Sequence, residues 1–301
     1  MVAANTEVDI NLDYIIDPNE RRALERYDLK FAQALLSVLP AINDPINVLD
    51  FVCGDGLVAF ELANRLVPNS RLVALGDENL TLERLHTHAK SALAPGLIGN
   101  RFFSRREELT RLPFADATFD LVYAALPLGD LPESRSVLTQ VMRVLRPNGT
   151  IALSFVLPHS LLELAQAVAQ AELVNDDEHT MSILSQRLAA RVHLPTLEDW
   201  QNLAERVGAI EIKTISSQFN LIVEPDAHLD ELYSTRLVPL LLGNSHENLT
   251  MTRRLLKTAI SKQLTTMVNI GVLIGRRPGF TQETLPSQQP AVAVAADVNA
   301  K

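Results

Sequence analysis

The stretch Asn47–Gly56 (NVLDFVCGDG) joins an apolar segment to a glycine-rich turn. Residues 47–52 have the short, mostly apolar composition of a buried strand, and the segment 57–66 that follows has the apolar pattern of a helix. Gly54 and Gly56 between them would let the backbone approach a ligand closely, at a helix start that offers free N–H groups. A tight turn without a ligand uses the same glycines, so the turn alone leaves both interpretations open.

Strands and helices alternate along the chain outward from this stretch. A helix is predicted to begin at Asp17-Pro18 and to end before Pro40. Further strands are predicted at 71–75, 97–103, 119–126 and 150–156, and further helices at 79–92 and 132–145. Alternation with short apolar strands predicts a doubly wound α/β fold, in which helices cover both faces of a mostly parallel sheet. Ligand chemistry is then expected at the carboxyl ends of the strands.

The pattern changes after residue 157, where helical stretches dominate. Helices are predicted at 160–190, 196–208, 226–242 and 247–265, and strands at 210–215 and 267–276 complete a seven-stranded sheet with helical additions. We therefore predict a loose arm at 1–17, one domain at 18–278 and a disordered tail at 279–301. Within that domain the core is 40–157, and the helical cover and last strands are 158–278.

Composition excludes several classes of protein. The net charge of −9 disfavours broad binding to nucleic-acid backbones or anionic membrane surfaces. Cys53 is the single cysteine, which excludes an internal disulfide and a zinc site made of several cysteines. His86 and His88 lie two residues apart and do not share a helix face, so we predict no metal site. No apolar run approaches the roughly 20 residues of a membrane span, and the acidic N-terminus lacks the apolar core of a signal peptide. We expect a cytoplasmic protein.

Two later motifs accompany the glycine turn. Residues 112–122 read LPFADATFDLV, and residues 140–150 read QVMRVLRPNGT. In order and spacing, the three motifs resemble those of the class I S-adenosylmethionine-dependent methyltransferases, near the type 11 group, over about residues 40–157. This resemblance implies a Rossmann-like methyltransferase fold, S-adenosylmethionine as cofactor and a small-molecule acceptor.

The resemblance also implies roles for individual residues. It places the methionine part of the cofactor against Asp50, Cys53, Gly54 and Gly56. An acidic residue at the end of the second strand would bind the ribose, and Glu108 and Leu109 would line the adenine. The segment Ala125–Asp130 would border the methyl group.

Two positions depart from the family pattern. Val52 stands where the family has its first glycine, and we expect this β-branched residue to stay extended with the loop adjusted around it. Gly76 stands where the ribose-binding acid is expected, directly before Asp77 and Glu78. Either acid could replace it if the strand ends one residue later or carries a bulge; otherwise the ribose carboxylate is missing.

Three functions follow from these patterns. The first is methyl transfer from S-adenosylmethionine to a small or medium organic acceptor, with His159 as a candidate base. The second is a catalytically inactive binding or scaffold protein, because of the two departures. The third is an NAD-dependent oxidoreductase, since residues 54–59 fit the dinucleotide-binding pattern Gly-x-Gly-x-x-Ala and the acidic residues Asp77 and Glu78 follow about 20 residues later. The apolar residues of the late helices are expected to be the inward faces of covering helices; the alternative is an acceptor pocket or a homodimer surface.

Overall fold

Seven strands form one sheet in the computed structural model, which describes residues 10–15, 18–76, 79–126, 133–164, 166–167, 194–223, 260 and 263–279. The strands are β1 (Asn47–Val52), β2 (Arg71–Gly76), β3 (Phe102–Arg106), β4 (Phe119–Leu126), β5 (Leu145–Val156), β6 (Ile210–Val223) and β7 (Leu264–Arg276). Their order across the sheet is β3-β2-β1-β4-β5-β7-β6. Strands β1 to β5 pair in parallel, and β7 runs antiparallel to both β5 and β6. The predicted mostly parallel, seven-stranded sheet is confirmed.

Helices cover both faces of this sheet. They are α1 (Pro18–Arg26), α2 (Asp28–Leu36), α3 (Leu57–Arg65), α4 (Asn79–Ala92), α5 (Ser134–Val144) and α6 (Leu197–Arg206). Successive side chains of β1 point to opposite faces, as the strand period requires. Val48 packs in one apolar cluster with side chains of α3 and α4, and Leu49 packs in a second cluster with side chains of α5 and α6. The doubly wound α/β arrangement is thus confirmed.

The segment before α1 is not a loose arm throughout. The side chains of Ile10, Leu12, Tyr14 and Ile15 are buried against the cluster that contains α3. Tyr14 meets the ring of Phe60 edge-on, with centroids 5.3 Å apart. Apolar side chains at every second position let the segment bury one side while its polar residues face water, which the prediction overlooked. Residues 1–9, and the tail predicted beyond 279, lie outside the described residues.

Several predicted element bounds were wrong. The third strand was placed at 97–103 but runs from Phe102 to Arg106, because the carbonyl of Leu97 accepts N–H groups from the three residues 100–102 in a turn. The first helix is broken at Tyr27, whose backbone leaves the helical region (φ −125°, ψ −71°). The fifth and sixth strands are longer than predicted. The helix predicted at 226–242, most of 160–190 and most of 247–265 lie outside the described residues. The prediction at 247–265 was wrong at its end, because Leu264 and Thr265 belong to β7.

The start of α6 follows its sequence prediction. Thr196 and Asp199 form a reciprocal capping box: the Asp199 N–H donates to the Thr196 hydroxyl (3.1 Å), and the Thr196 N–H donates to the Asp199 carboxylate (2.9 Å). The Thr196 hydroxyl also donates to the Asp199 carboxylate (2.7 Å), and this bond first, followed by the one from the Thr196 N–H, lowers the pKa of Asp199 below its ordinary value. The box fixes where α6 begins at the carboxyl edge of the sheet.

Arg143 of α5 fixes the loop that carries the LPF motif. Its guanidinium donates to the carbonyls of Leu112 (2.8 Å) and Phe114 (2.7 Å) and pairs with Asp116 (2.7 Å). Replacing Arg143 with methionine leaves these carbonyls without their charged donor, and we expect a loss of about 2–4 kcal/mol in the free energy of unfolding. Urea unfolding would measure it, with the exposed Arg135→Met on the same helix as control. Equal small losses in both variants would contradict this role.

Candidate functional site

Val52 keeps the extended conformation expected of it. It is the last residue of β1, and the pairing of β1 with β4 shifts register between Asp50 and Val52. At this irregularity the strand accommodates a valine where the family has a glycine, a residue with fewer backbone restrictions. The departure at Val52 is therefore accommodated inside the strand rather than in the turn.

The turn after β1, the glycine loop (residues 53–56), has left-handed backbone at both glycines. Gly54 has φ 52° and Gly56 has φ 84°. The Gly56 N–H donates to the carbonyl of Cys53 (2.9 Å), and the Gly56 carbonyl accepts the Phe60 N–H at the start of α3 (2.8 Å). A Cβ at Gly56 would lie 2.5 Å from the Phe60 ring. Gly56 thus lets α3 pack closely behind the loop.

A pocket, which we name the loop pocket, lies between the glycine loop and α2. It is lined by Asp28, Ala32, Asp50, Val52, Cys53, Gly54, Asp55, Leu57, Val58 and Ala125. Four of the residues that the resemblance assigns to the cofactor, Asp50, Cys53, Gly54 and Ala125, are thus brought together. About 30 Å³ of space is free between these side chains, room for about two water molecules.

Carboxylates dominate the charge of the loop pocket. Asp50 is 2% exposed, and its carboxylate accepts the Val52 N–H (3.2 Å). Asp28 is 8% exposed at the start of α2, and Asp55 pairs with Arg84 of α4 (3.1 Å). Among the described lining residues there are three carboxylates and no lysine or arginine, so the pocket favours a cationic ligand. No pattern in the sequence indicates Asp28, because only the packing of α2 brings it to the loop.

Tyr123 lies beside the Asp50 carboxylate on the neighbouring strand. The two residues are register partners of β1 and β4, and Tyr123 is completely buried. Burial first, and then the charge of the neighbouring Asp50, raise the pKa of the Tyr123 hydroxyl well above its ordinary value. No partner among the described residues meets the full geometry of a hydrogen bond with this hydroxyl. Tyr123 therefore stays protonated beside Asp50.

The raised pKa of Tyr123 predicts a loss of stability in alkali. The unfolded tyrosine ionises near its ordinary pKa of 10.0, while the folded one keeps its proton, so the unfolded state is favoured as pH rises above about 10. One such group contributes a slope of up to about 1.4 kcal/mol per pH unit. We expect Tyr123→Phe to show a shallower loss than the wild type in urea unfolding between about pH 9 and 11. Parallel pH profiles of the two proteins would contradict the assignment.

The remaining predicted site residues lie elsewhere or outside the described residues. Gly76 ends β2, and a Cβ there would lie 2.8 Å from Leu82, so the position has no space for an acidic side chain unless Leu82 moves. Asp77 and Glu78 lie outside the described residues. Glu108 is exposed and accepts a hydrogen bond from the Thr110 hydroxyl (2.6 Å), and Leu109 packs on the α5 side of the sheet. Neither lines the loop pocket.

Two further findings concern the described part of the chain. It contains no group of three or more histidine, cysteine, aspartate or glutamate side chains placed to hold a metal ion. Within the same residues, no helix has both the length and the apolar character needed to cross a bilayer.

Comparison with known families identifies the fold around the glycine loop. Residues 48–149 match a family model described as a methyltransferase domain. The match contains β1, the glycine loop and the LPF motif. Residues 48–149 are therefore similar to methyltransferase domains, and they are called the methyltransferase domain below. The methyltransferase domain thus includes Asp50, Cys53, Gly54 and Ala125 of the loop pocket.

Curated relatives of the methyltransferase domain have diverse names. A demethylmenaquinone methyltransferase of Lactiplantibacillus plantarum is 32% identical over 105 residues, which cover 35% of this chain and 43% of that protein. A 27-O-demethylrifamycin SV methyltransferase of Amycolatopsis mediterranei is 28% identical over 143 residues, covering 48% of this chain and 50% of that protein. The chain spans about half the length of the curated relatives it matches.

Solved structures share the fold of the methyltransferase domain. The YcgJ protein of Bacillus subtilis superposes with a TM-score of 0.53 at 14% identity, over 83% of this chain and 99% of that one. Phosphoethanolamine N-methyltransferase 2 of Haemonchus contortus, solved in complex with S-adenosyl-L-methionine, superposes with a TM-score of 0.52 at 13% identity, over 86% of this chain and 56% of that one. At these identities the likeness concerns the fold.

Proposed function

We propose that this protein binds S-adenosylmethionine in the loop pocket and methylates a small or medium organic acceptor. The observation that carries the proposal is the pair of buried carboxylates, Asp28 and Asp50, beside a glycine loop at the carboxyl end of β1. The cofactor's methionine part bears an ammonium, a sulfonium and one carboxylate, so its net positive charge matches this pocket. The match of residues 48–149 to a methyltransferase domain supports the same choice of ligand.

The described residues fit the methionine part of the cofactor. Asp50 offers a carboxylate that the Val52 N–H already orients, and Gly54 offers backbone without a side chain. In surroundings that exclude water, the attraction between a fixed carboxylate and a cation is stronger than in bulk solvent. The bound cofactor supplies an electrophilic methyl group. The chain would position the cofactor and provide the electrostatic field around it. The small side chain of Ala125 lines the pocket at the carboxyl end of β4.

A catalytically inactive binding protein is the second candidate. One observation favours it: Leu82 covers Gly76, and the loop pocket has only about 30 Å³ of free space. A whole adenosyl group therefore needs the walls of the pocket to move apart. An NAD-dependent oxidoreductase fits less well, because Asp28 and Asp50 would repel the pyrophosphate of that cofactor.

Calorimetric titration of the full chain distinguishes these functions. We expect heat on addition of S-adenosylmethionine, weaker binding of the product S-adenosylhomocysteine, whose sulfur is neutral, and no change in the fluorescence of added NADH. Absence of heat with S-adenosylmethionine up to about 1 mM, an affinity weaker than about −4 kcal/mol, would overturn the proposal. Binding without formation of S-adenosylhomocysteine across a panel of phenols, amines and carboxylic acids would favour the inactive protein.

A further inference from the structure

A second, larger pocket lies at the carboxyl edge of the sheet, on the face covered by α6. This outer pocket has a volume of about 470 Å³ and is lined by Leu157, Pro158, His159, Thr196, Leu197, Ser216, Ser217, Gln218 and Asn269. It shares no described residue with the loop pocket. Both pockets include residues near the carboxyl ends of neighbouring strands, because Ala125 of the loop pocket is the register partner of Ser154, three residues before Leu157. A volume of this size suits a small organic molecule.

One wall of the outer pocket is a turn fixed to β7. The Ser160 hydroxyl donates to the carbonyl of Leu157 (2.8 Å) and accepts the Asn269 N–H (2.9 Å). The Asn269 amide donates to the carbonyl of Pro158 (3.3 Å). Between these anchors His159 has left-handed backbone (φ 62°) and an exposed side chain. A non-glycine residue adopts this conformation at a cost, which the surrounding bonds offset. The turn thus holds His159 at the pocket wall.

The described lining of the outer pocket consists mainly of uncharged side chains. Neutral hydroxyl and amide side chains come from Thr196, Ser216, Ser217, Gln218 and Asn269, and apolar surface comes from the leucines and the proline. Among the lining residues that the structure describes, none is an aspartate, glutamate, lysine or arginine. A charged ligand would lose hydration without gaining an opposite charge, whereas an uncharged ligand with hydroxyl groups would gain hydrogen bonds and apolar contacts.

We infer that the outer pocket is the acceptor site and that it takes an uncharged, hydroxyl-bearing organic molecule. The inference rests on the proposed methyl transfer, and it adds the chemical class of the acceptor. The side-chain amides of Gln218 and Asn269 bind the polar part of this molecule, and Leu157 and Leu197 contact its apolar part. His159 is placed to accept a hydrogen bond from its hydroxyl group.

Three probes with one ring and different charges test this class. Phenol is neutral, benzoate is an anion and benzylamine is a cation at neutral pH. In nuclear magnetic resonance titrations of the full chain, we expect phenol to shift the side-chain amide signals of Gln218 and Asn269 at about millimolar concentration. Benzoate and benzylamine should need about tenfold more. Equal or tighter binding of either charged probe, or no shift with phenol up to about 10 mM, would overturn the inference.

A matched pair of variants locates the binding. Ser216→Trp places an indole in the outer pocket, and Asn220→Trp places one at an exposed position of the same strand that does not line it. We expect the phenol shifts to disappear in Ser216→Trp and to persist in Asn220→Trp. Gln218→Leu, which keeps the side chain near its size, should weaken phenol binding without the bulk of an indole. Unchanged phenol binding in Ser216→Trp or Gln218→Leu would place the ligand elsewhere.

The same proteins separate failure of this inference from failure of the proposed function. Ser216→Trp should bind S-adenosylmethionine as the wild type does, because the two pockets share no lining residue. If the wild type binds S-adenosylmethionine but not phenol, the acceptor assignment is wrong and the cofactor assignment stands. If it binds phenol but not S-adenosylmethionine, methyl transfer is wrong and the outer pocket loses its role as an acceptor site.

Discussion

Replacing Gly56 with alanine is expected to lower the free energy of unfolding by about 3–5 kcal/mol. Two costs combine at this position. The backbone has φ 84°, which disfavours any side chain, and the new Cβ would lie 2.5 Å from the Phe60 ring and 2.7 Å from Leu85. Both neighbours belong to the buried cluster on this face, so relieving the overlap would disturb the packing of α3 and α4.

Gly96 provides a matched control for this variant. It has the same φ of 84°, but no atom lies within 4 Å of the position that its Cβ would take. Gly96→Ala therefore reports the cost of the backbone conformation alone, about 1–2 kcal/mol. Urea unfolding of both variants measures the difference, which is the packing cost at Gly56. Equal losses in the two variants would show that α3 does not need the close approach that Gly56 allows.

Replacing Asp50 with asparagine is expected to weaken binding of S-adenosylmethionine by about ten- to a hundredfold. The substitution keeps the shape of the side chain and removes a buried charge, so it tests the attraction for a cation. A hydrogen bond to a charged group contributes about 1.5–3 kcal/mol, which corresponds to that range of affinity. Calorimetric titration of the variant beside the wild type gives the two dissociation constants.

Asp120→Asn is the control for this experiment. Asp120 lies near the start of β4, at the opposite edge of the sheet from the loop pocket, where it pairs with Arg146 (2.8 Å). The two variants change the net charge of the chain equally, so a general effect of charge would appear in both. We expect the affinity of Asp120→Asn to match the wild type. An unchanged affinity in Asp50→Asn would show that the cofactor binds elsewhere, although the fold would stand.

The central part of the fold could be predicted because local signals were strong. β1, β4 and α4 have the predicted bounds, since the two strands are short and mostly apolar and the helix has a clear period. The segment 10–15 was missed because its alternating pattern is short, and the break at Tyr27 has no proline or glycine to mark it. Boundaries set by tertiary packing have no local signature in the sequence.

The candidate site was predicted where one motif carries it and missed where packing does. Asp50, Cys53 and Gly54 come from one contiguous stretch, so the loop pocket could be located from the sequence. Asp28 lies beside them only because α2 packs over the loop, and no sequence pattern predicts that contact. The outer pocket draws on β5, β6, β7 and α6, and the sequence singled out only His159 among its lining residues.

The acidic lining of the loop pocket also bears on turnover. A methyl donor enters with a positively charged sulfur and leaves as a neutral thioether, so transfer of the methyl group removes part of the attraction that held it. Asp28 and Asp50 would then retain fresh donor more strongly than spent donor, which reduces inhibition by the product. Two side chains that take no part in bond making would thus promote release of the product in each catalytic cycle.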